Sequence, residues 1–393
     1  SCWWREHPRG KDADALAGAL TALLPMAYGL SRFFFVETLL SALLGLWAWR
    51  CAAARPDDRR EGLKLGLILG LGLLTKSTFP LLAAGFAWPA RKCLRPHAGR
   101  ALAVGGLVAA TWYAANLPYV AGFAWSAGFG SVAKDYAGRG GLAARWGWLA
   151  AIAQSGLSWP VAAAMAAVAA AAVSKPKADE GTRAALWGLA PLLVYAAGAN
   201  REPRLVAPLL PVAALLAARA AISFHRAAAR AAAAAALLGA VLAVCADQTF
   251  RAGPDRALAF NGAPQADRGW DRGALVDAVA GSDGRIAAVA LEDARLNANN
   301  LSSLAAARGL DLKFVSLGYA QVSAEGALIR LKDKSCDRLV LIEGVPESEL
   351  PAFLNRANAG IRAMTFSGRL KTKPLARLTL APGVTATVLR LIW

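Results

Sequence analysis

Apolar runs recur from Ala15 to Cys245, and the connections between them are alternately rich and poor in Lys and Arg. The rich set is Arg5/Arg9/Lys11, Arg50/Arg55/Arg59/Arg60/Lys64, Arg91/Lys92/Arg95/Arg100, Lys175/Lys177/Arg183 and Arg219/Arg226/Arg230. By the positive-inside rule such loops stay on the cytoplasmic side. The alternation predicts a polytopic α-helical membrane protein of fixed sidedness. It also leaves a few charges on the opposite face: Arg32 with Glu37, Lys76, Arg201–Glu202 with Arg204, and Lys134, Asp135, Arg139 and Arg145 in a longer loop. Ionisable groups near the outer mouth of a helical bundle are costly, which makes them candidates for function.

Of the 393 residues 56% are hydrophobic, too many for an ordinary soluble protein. The net charge of +18 raises the question of nucleic acid. Most of the excess flanks apolar runs, so topology and contact with anionic lipids account for it and no nucleic-acid partner is expected. Trp47, Trp49, Trp88, Trp125, Trp146 and Trp148 lie near the ends of the runs, as in an interfacial belt. The scattered cysteines (Cys2, Cys51, Cys93, Cys245, Cys336) predict no disulfide framework. His7, His97 and His225 lack metal-ligand spacing and read as solvated loop residues.

Nine spans are expected, at about 13–30, 33–49, 63–75, 77–90, 101–122, 148–173, 185–199, 205–221 and 230–247. The third and fourth, meeting around Leu74–Pro80, are the shortest pair and form a tight or partly re-entrant helical hairpin. Small residues dominate the spans, which suits close helix packing in lipid. The domains are thus a multi-span membrane part, 1–247, and an extracytoplasmic α/β domain, 248–393. In the latter, strand-like runs at 285–291, 312–316, 338–343, 363–367 and 376–391 are interleaved with helical patterns at 299–308, 321–332 and 347–358. That order predicts a mainly parallel sheet closed by an antiparallel hairpin across Pro382–Gly383.

Four outer constellations can carry chemistry. Ser31–Thr38 holds Arg32 and Glu37, which form either an interfacial pair or an acidic group facing a polar cavity. Thr75-Lys76-Ser77-Thr78 joins a compact cation with three hydroxyls, suited either to a phosphate or to end-capping by a snorkelling lysine. Arg201 and Arg204 offer planar forks for phosphate oxygens. Trp112, Tyr113 and Asn116, with Lys134 and Arg139 in the glycine-rich loop that follows, can line a sugar or prenyl groove or serve helix packing. In the tail, Glu292-Asp293 with Asn297, Asn299 and Asn300 follow a strand end, where open α/β sheets bind ligands, and read more simply as a polar loop.

Taken in order, the segments SRFFFVET (31–38), GLILGLGLLTKST (66–78), Trp112–Tyr113 with its long outer loop, and RLVAPLLP (204–211) resemble the GT-C class of membrane glycosyltransferases that use polyprenyl-phosphate sugars. Within it they resemble the aminoarabinose-transferase-like (ArnT-like) and dolichyl-phosphate-mannose–protein mannosyltransferase-like family. The resemblance implies sugar transfer from a polyprenyl-phosphate donor to a lipid, glycan or protein acceptor on the outer face of the bacterial inner membrane. Lys76, Arg201 and Arg204 would hold the donor phosphate, Arg32, Tyr113, Asn116, Lys134 and Arg139 would line the substrate groove, and Glu37 would be an auxiliary acidic group on the acceptor or metal side. A divalent metal is compatible with this reading but not required by it. The family carries its principal acidic residue in a first long outer loop. This chain opens on a cytoplasmic loop instead, so it reads as N-terminally truncated and its main catalytic residue is unassigned. The alternatives are a transporter or flippase of lipid-linked sugars and a non-catalytic membrane scaffold.

Overall fold

A computed structural model of the chain describes residues 10–27, 36–128, 142–173, 180–198, 203–250, 270–293, 295–318, 323–345 and 355–393. The chain divides into two compact units, Ser1–Pro264 and Gln265–Trp393. The helix Ala227–Phe250 runs three residues past the domain boundary read from the sequence at 247.

The first unit is helical. Its central piece is an antiparallel hairpin of α2 (Val36–Ala53) and α3 (Glu61–Thr75), preceded by α1 (Gly10–Leu23). Leu40, Leu44, Trp47 and Cys51, each about one helical turn from the next, lie on the buried face of α2. They share a core with Phe79, Leu82 and Phe86 of α4 (Phe79–Ala87). Trp47 Nε1 donates to the Ala83 carbonyl at 2.9 Å, and its ring meets Phe79 edge-on at 6.4 Å.

Close packing then fixes the direction of the next long helix, α5 (Ala98–Gly128). Gly62, Gly66 and Gly70 make one stripe on α3, and they face Arg100, Val104 and Val108 in that order. A Cβ on Gly66 or Gly70 would stand 2.6 Å from the Cβ of Val104 or Val108. Both stripes advance by four residues in the same sense, so α3 and α5 run parallel. Lys76–Ser77 and Trp112–Asn116 therefore lie at one end, with Arg59–Arg60 and Arg91–Arg100 at the other. That is the grouping the charge alternation predicts.

Among the described residues, three stretches are long and apolar enough to cross a membrane: Arg91–Pro118, Pro203–Ile222 and Ala227–Asp247. The first unit is thus a partly membrane-like helical fold, and its other described helices are shorter. The fifteen residues of α3 and nine of α4 span only about 22 and 14 Å, against a hydrocarbon core of about 30 Å. The expected span 148–173 is broken: Arg145–Gln154 and Trp159–Ala170 meet at a 100° bend. A π-helical turn, Ile152–Leu157, leads into Ser158 at φ +65°, and Pro160 follows. The expected span 185–199 is divided between α8 (Glu180–Gly188) and α9 (Pro191–Ala197), because Pro191 starts a new helix rather than continuing one. The intervening helices are α6 (Leu142–Ala151) and α7 (Trp159–Val173), and α10 (Leu210–Ile222) and α11 (Ala227–Phe250) follow.

The cationic loops are less solvated than their composition implies. Arg50 grips the buried Glu61 with two nitrogens, and Lys64 bridges Glu61 and Asp58. His97 is buried, contrary to the reading of a solvated residue. Its Nε2 lies 2.8 Å from the Arg55 carbonyl and ties two cationic loops together. Cys51, Cys245 and Cys336 are free, whereas Cys93 is disulfide-bonded.

The second unit is an α/β domain. Its helices are α12 (Arg272–Ala280), α13 (Ala298–Ala307), α14 (Ala324–Asp333) and α15 (Arg356–Phe366). Its strands are β1 (Ile286–Val289), β2 (Lys313–Ser316), β3 (Arg338–Glu343), β4 (Thr372–Ala381) and β5 (Val384–Leu391), in spatial order β2-β1-β3-β5-β4. β1–β3 are parallel, while β5 is antiparallel to both β3 and β4. A buried cluster covers each face of the sheet. The β4–β5 turn has Gly383 at φ +77°. One strand expectation is corrected: 363–367 ends α15, where Ala357, Ile361 and Met364 recur at helical spacing and are buried.

Candidate functional site

Glu37 lies in the first turn of α2 and is 3% exposed, and Lys76 immediately follows the last turn of α3. The antiparallel hairpin brings them together, with Lys76 Nζ donating to Glu37 Oε1 at 2.8 Å. Each charge also suits the helix end it occupies, a carboxylate at an N-terminus and an ammonium at a C-terminus. Among the described residues, Glu37 Oε2 is buried without a hydrogen-bond partner. Tyr195, 8% exposed on α9, stands beside Thr78 and within electrostatic reach of Glu37.

The C-terminus of α3 is capped from several directions. Thr75 Oγ1 donates to the Leu71 carbonyl at 2.8 Å, and the Lys76 amide to Gly72 at 2.9 Å. Tyr113 of α5 donates its hydroxyl to the Leu73 carbonyl at 3.0 Å. A cavity of about 300 Å³ opens beside this end, lined by Leu73–Ser77 and by Trp112, Tyr113, Asn116 and Val120. Trp112 stands edge-on to Tyr113 at 5.2 Å, and Asn116 Nδ2 donates to the Trp112 carbonyl at 2.9 Å. The lining thus joins one ammonium, three hydroxyls (Thr75, Ser77 and Tyr113) and an amide to apolar and aromatic walls.

The structure therefore brings Glu37, Lys76, Tyr113 and Asn116 to one end of the α2–α3–α5 group. Tyr113 and Asn116 brace backbone carbonyls there as well as lining the cavity. Arg204, partly buried, is the second residue of the 3₁₀ segment Pro203–Leu209, whose Val206 and Leu209 share the core of Leu40 and Leu44. Arg32, Lys134, Arg139 and Arg201 lie outside the described residues. Sequence reasoning missed Tyr195, whereas Thr78 was one of the three hydroxyl residues it grouped with Lys76 and is half-buried beside Tyr195. A hydroxyl-bearing ring within an otherwise apolar run was the available signal for Tyr195.

The tail loop is self-satisfied. Asp293 binds Arg295 through both oxygens, at 2.7 and 2.8 Å, and the guanidinium covers the Trp270 ring at 4.8 Å. Asn297 and Asn300 form a reciprocal cap on α13. Buried Glu292 accepts a hydrogen bond from Ser316 Oγ, and Asn355 braces its backbone on both sides. Burial pushes the Glu292 carboxyl above the ordinary range, partly offset by the Ser316 bond. Among the described residues, no group of three or more His, Cys, Asp or Glu side chains is placed to hold a metal ion.

No protein-family model, curated protein or solved structure matches the chain.

Proposed function

We propose that the chain is a nine-span membrane glycosyltransferase of the GT-C kind. It moves a sugar from a polyprenyl-phosphate donor to a lipid, glycan or protein acceptor on the outer face of the bacterial inner membrane, where its C-terminal domain also resides. The observation that carries this reading is the cavity at the end of α3 and α5 remote from the cationic loops. A lipid-linked phosphate wants a cation and neutral donors for its head and an apolar wall for its chain. Lys76, Ser77 and Asn116 offer the first, and Leu74, Trp112 and Val120 the second. The parallel run of α3 and α5 supports the alternating topology on which the nine spans rest.

The Glu37 pairing of Lys76 is compatible with a phosphate role, since an ammonium has three donors and Glu37 Oε1 takes one. In the transfer, the acceptor oxygen bonds to the anomeric carbon as the carbon–oxygen bond to phosphate breaks. Polyprenyl phosphate leaves with the bonding pair, and a carboxylate takes the acceptor's proton. Lys76, with Arg201 and Arg204, would stabilise the departing phosphate. Glu37 is an auxiliary group here, held in place by Lys76.

The transporter or flippase reading is favoured by a different observation, the 100° break at Ser158, because broken helices are common in transporters. Membrane vesicles carrying the protein and a diazirine-tagged polyprenyl phosphate separate the two. Labelling is expected to drop about tenfold for K76Q and for R204Q, together with transfer of radiolabelled sugar to acceptor. Labelling unaffected by both substitutions sinks the phosphate site. Passage of labelled lipid across the bilayer without sugar transfer selects the flippase.

A further inference from the structure

In the C-terminal domain α12–α15 all end, and β1–β3 all begin, at the same edge of the sheet. The antiparallel strands bring the start of β4 and the end of β5 to that edge as well: Lys373 pairs in register with Arg390, and Arg390 with Arg338. Arg338 is buried and bonded to Ser282. Lys371, Lys373 and Arg390 are exposed, and among the described residues none of them makes an ion pair. Like charges directly opposite one another destabilise a strand pair. Asp337, a carboxylate at this edge, is engaged by the amides of Arg285 and Ile286 and by Arg338 at 3.6 Å. The exposed Asp283, Asp311 and Asp333 are outnumbered there by exposed cations, Arg285, Lys332, Lys334, Arg369, Lys371, Lys373 and Arg390 among them. Lys332 and Lys334 are accounted for by the C-terminus of α14, but the strand cations have no such local reason.

Large apolar side chains emerge at the same edge. Phe366 is 67% exposed, Trp393 56% and Ile392 49%. Trp393 is held in place, its Nε1 donating to the Cys336 carbonyl at 3.0 Å while Lys332 Nζ sits 5.6 Å from its ring. An immobilised indole, two apolar side chains and unpaired cations are the composition that settles at a membrane–water interface.

We propose that this edge docks on the surface of an anionic lipid bilayer. Charge complementarity selects a polyanionic partner, and the exposed Phe, Ile and Trp favour lipid over nucleic acid. The bilayer is also within reach. The domain follows Ala227–Asp247, apolar enough to cross a membrane, by a connection over 251–269 that extends to at most about 65 Å. Docking explains why β4 and β5 tolerate Lys373 opposite Arg390, because the lipid phosphates supply the missing counter-charge. It does not depend on the glycosyltransferase reading.

The test uses the full chain in nanodiscs, with benzoylphenylalanine in place of Phe366 or, as the control on the opposite edge, of Glu343. In discs containing phosphatidylglycerol the first position is expected to label lipid at least about tenfold more than in purely zwitterionic discs, and the control position to label little in either. K373E is the decisive variant, since it creates a cross-strand pair with Arg390 that strengthens the hairpin while removing two units of positive charge. Lipid labelling must fall even as the domain becomes more heat-stable. Equal labelling in both lipids, equal labelling from the two positions, unchanged labelling in K373E, or crosslinks mainly to protein or nucleic acid would each overturn the docking surface.

Discussion

Glu37 and Lys76, 39 residues apart in sequence, meet at 2.8 Å across the open end of the α2–α3 hairpin, and Arg50 and Glu61 meet across its closed end. Both pairs put the carboxylate at a helix N-terminus and the cation at a helix C-terminus. The hairpin is therefore stapled twice, each time with the polarity the helix dipoles favour. One staple borders the cationic loops and the other borders the cavity.

The Glu37–Lys76 staple responds unequally to the loss of its two partners. Glu37 is 3% exposed and Lys76 23%, so K76A strands a buried carboxylate whose second oxygen already lacks a partner among the described residues. E37Q leaves an ammonium that can turn toward water. K76A is expected to cost about 3 kcal/mol and E37Q clearly less, with the double variant E37Q/K76M near the wild type. Thermal unfolding in detergent checks the ranking, and a larger loss for E37Q contradicts it.

The glycine stripe of α3 sets the distance to α5. G66A and G70A place a methyl group against Val104 and Val108 and are each expected to destabilise by about 1–3 kcal/mol through overpacking. Gly45 of α2 has nothing within 4 Å of an added Cβ, so G45A is expected to gain roughly 0.5–1 kcal/mol from helix propensity. A second readout is local. Hydrogen exchange at the end of α3 should rise in G70A, because displacing α5 pulls Tyr113 from the Leu73 carbonyl. Equal behaviour of G45A and G70A would remove the close-packing account.

How much of this was legible depended on whether the determinant was local. Charge alternation gave the common end of Lys76 and Trp112–Asn116, because insertion acts on each loop separately. The tail's strand-and-helix order gave the β1–β3 sheet, and Pro382–Gly383 marked the hairpin. The partner of Glu37 was not readable: Arg32 was nearer in sequence, and only the hairpin's tertiary register selects Lys76. The same holds for buried His97, whose contact with Arg55 crosses two loops. The break at Ser158 did have a local signal, Gln154-Ser155-Gly156 followed by Ser158 and Pro160, but hydropathy averaged over the whole run hides it.

Two tail glycines at positive φ should differ in their tolerance of alanine. Gly383 (φ +77°) has open space around an added Cβ, so G383A carries only the backbone strain, about 1 kcal/mol. Gly344 (φ +73°), just past β3, would drive its Cβ into the Gly383 carbonyl oxygen. G344A must therefore displace the β4–β5 turn and is expected to be the more damaging by at least about 1 kcal/mol. Hydrogen exchange of Leu339–Ile342 reports the difference, and equal protection in the two variants would deny that the turn is seated against Gly344.

Glu292 gives the tail domain a pH signature. Burial raises its folded pKa, and the Ser316 hydrogen bond only partly opposes this. A raised folded pKa means that the folded state binds the proton more tightly than the unfolded state does. Its contribution is therefore fully present below the unfolded carboxyl pKa and is lost as pH rises through the folded value. Above that value the charged carboxylate remains a constant burden on the fold. E292Q keeps an acceptor for Ser316 and carries no charge, so its stability should lack this downward slope and exceed the wild type at neutral pH. Thermal melts over roughly pH 4 to 8 compare the two directly. A wild-type curve parallel to that of E292Q would show that Glu292 titrates alike in the folded and unfolded chain.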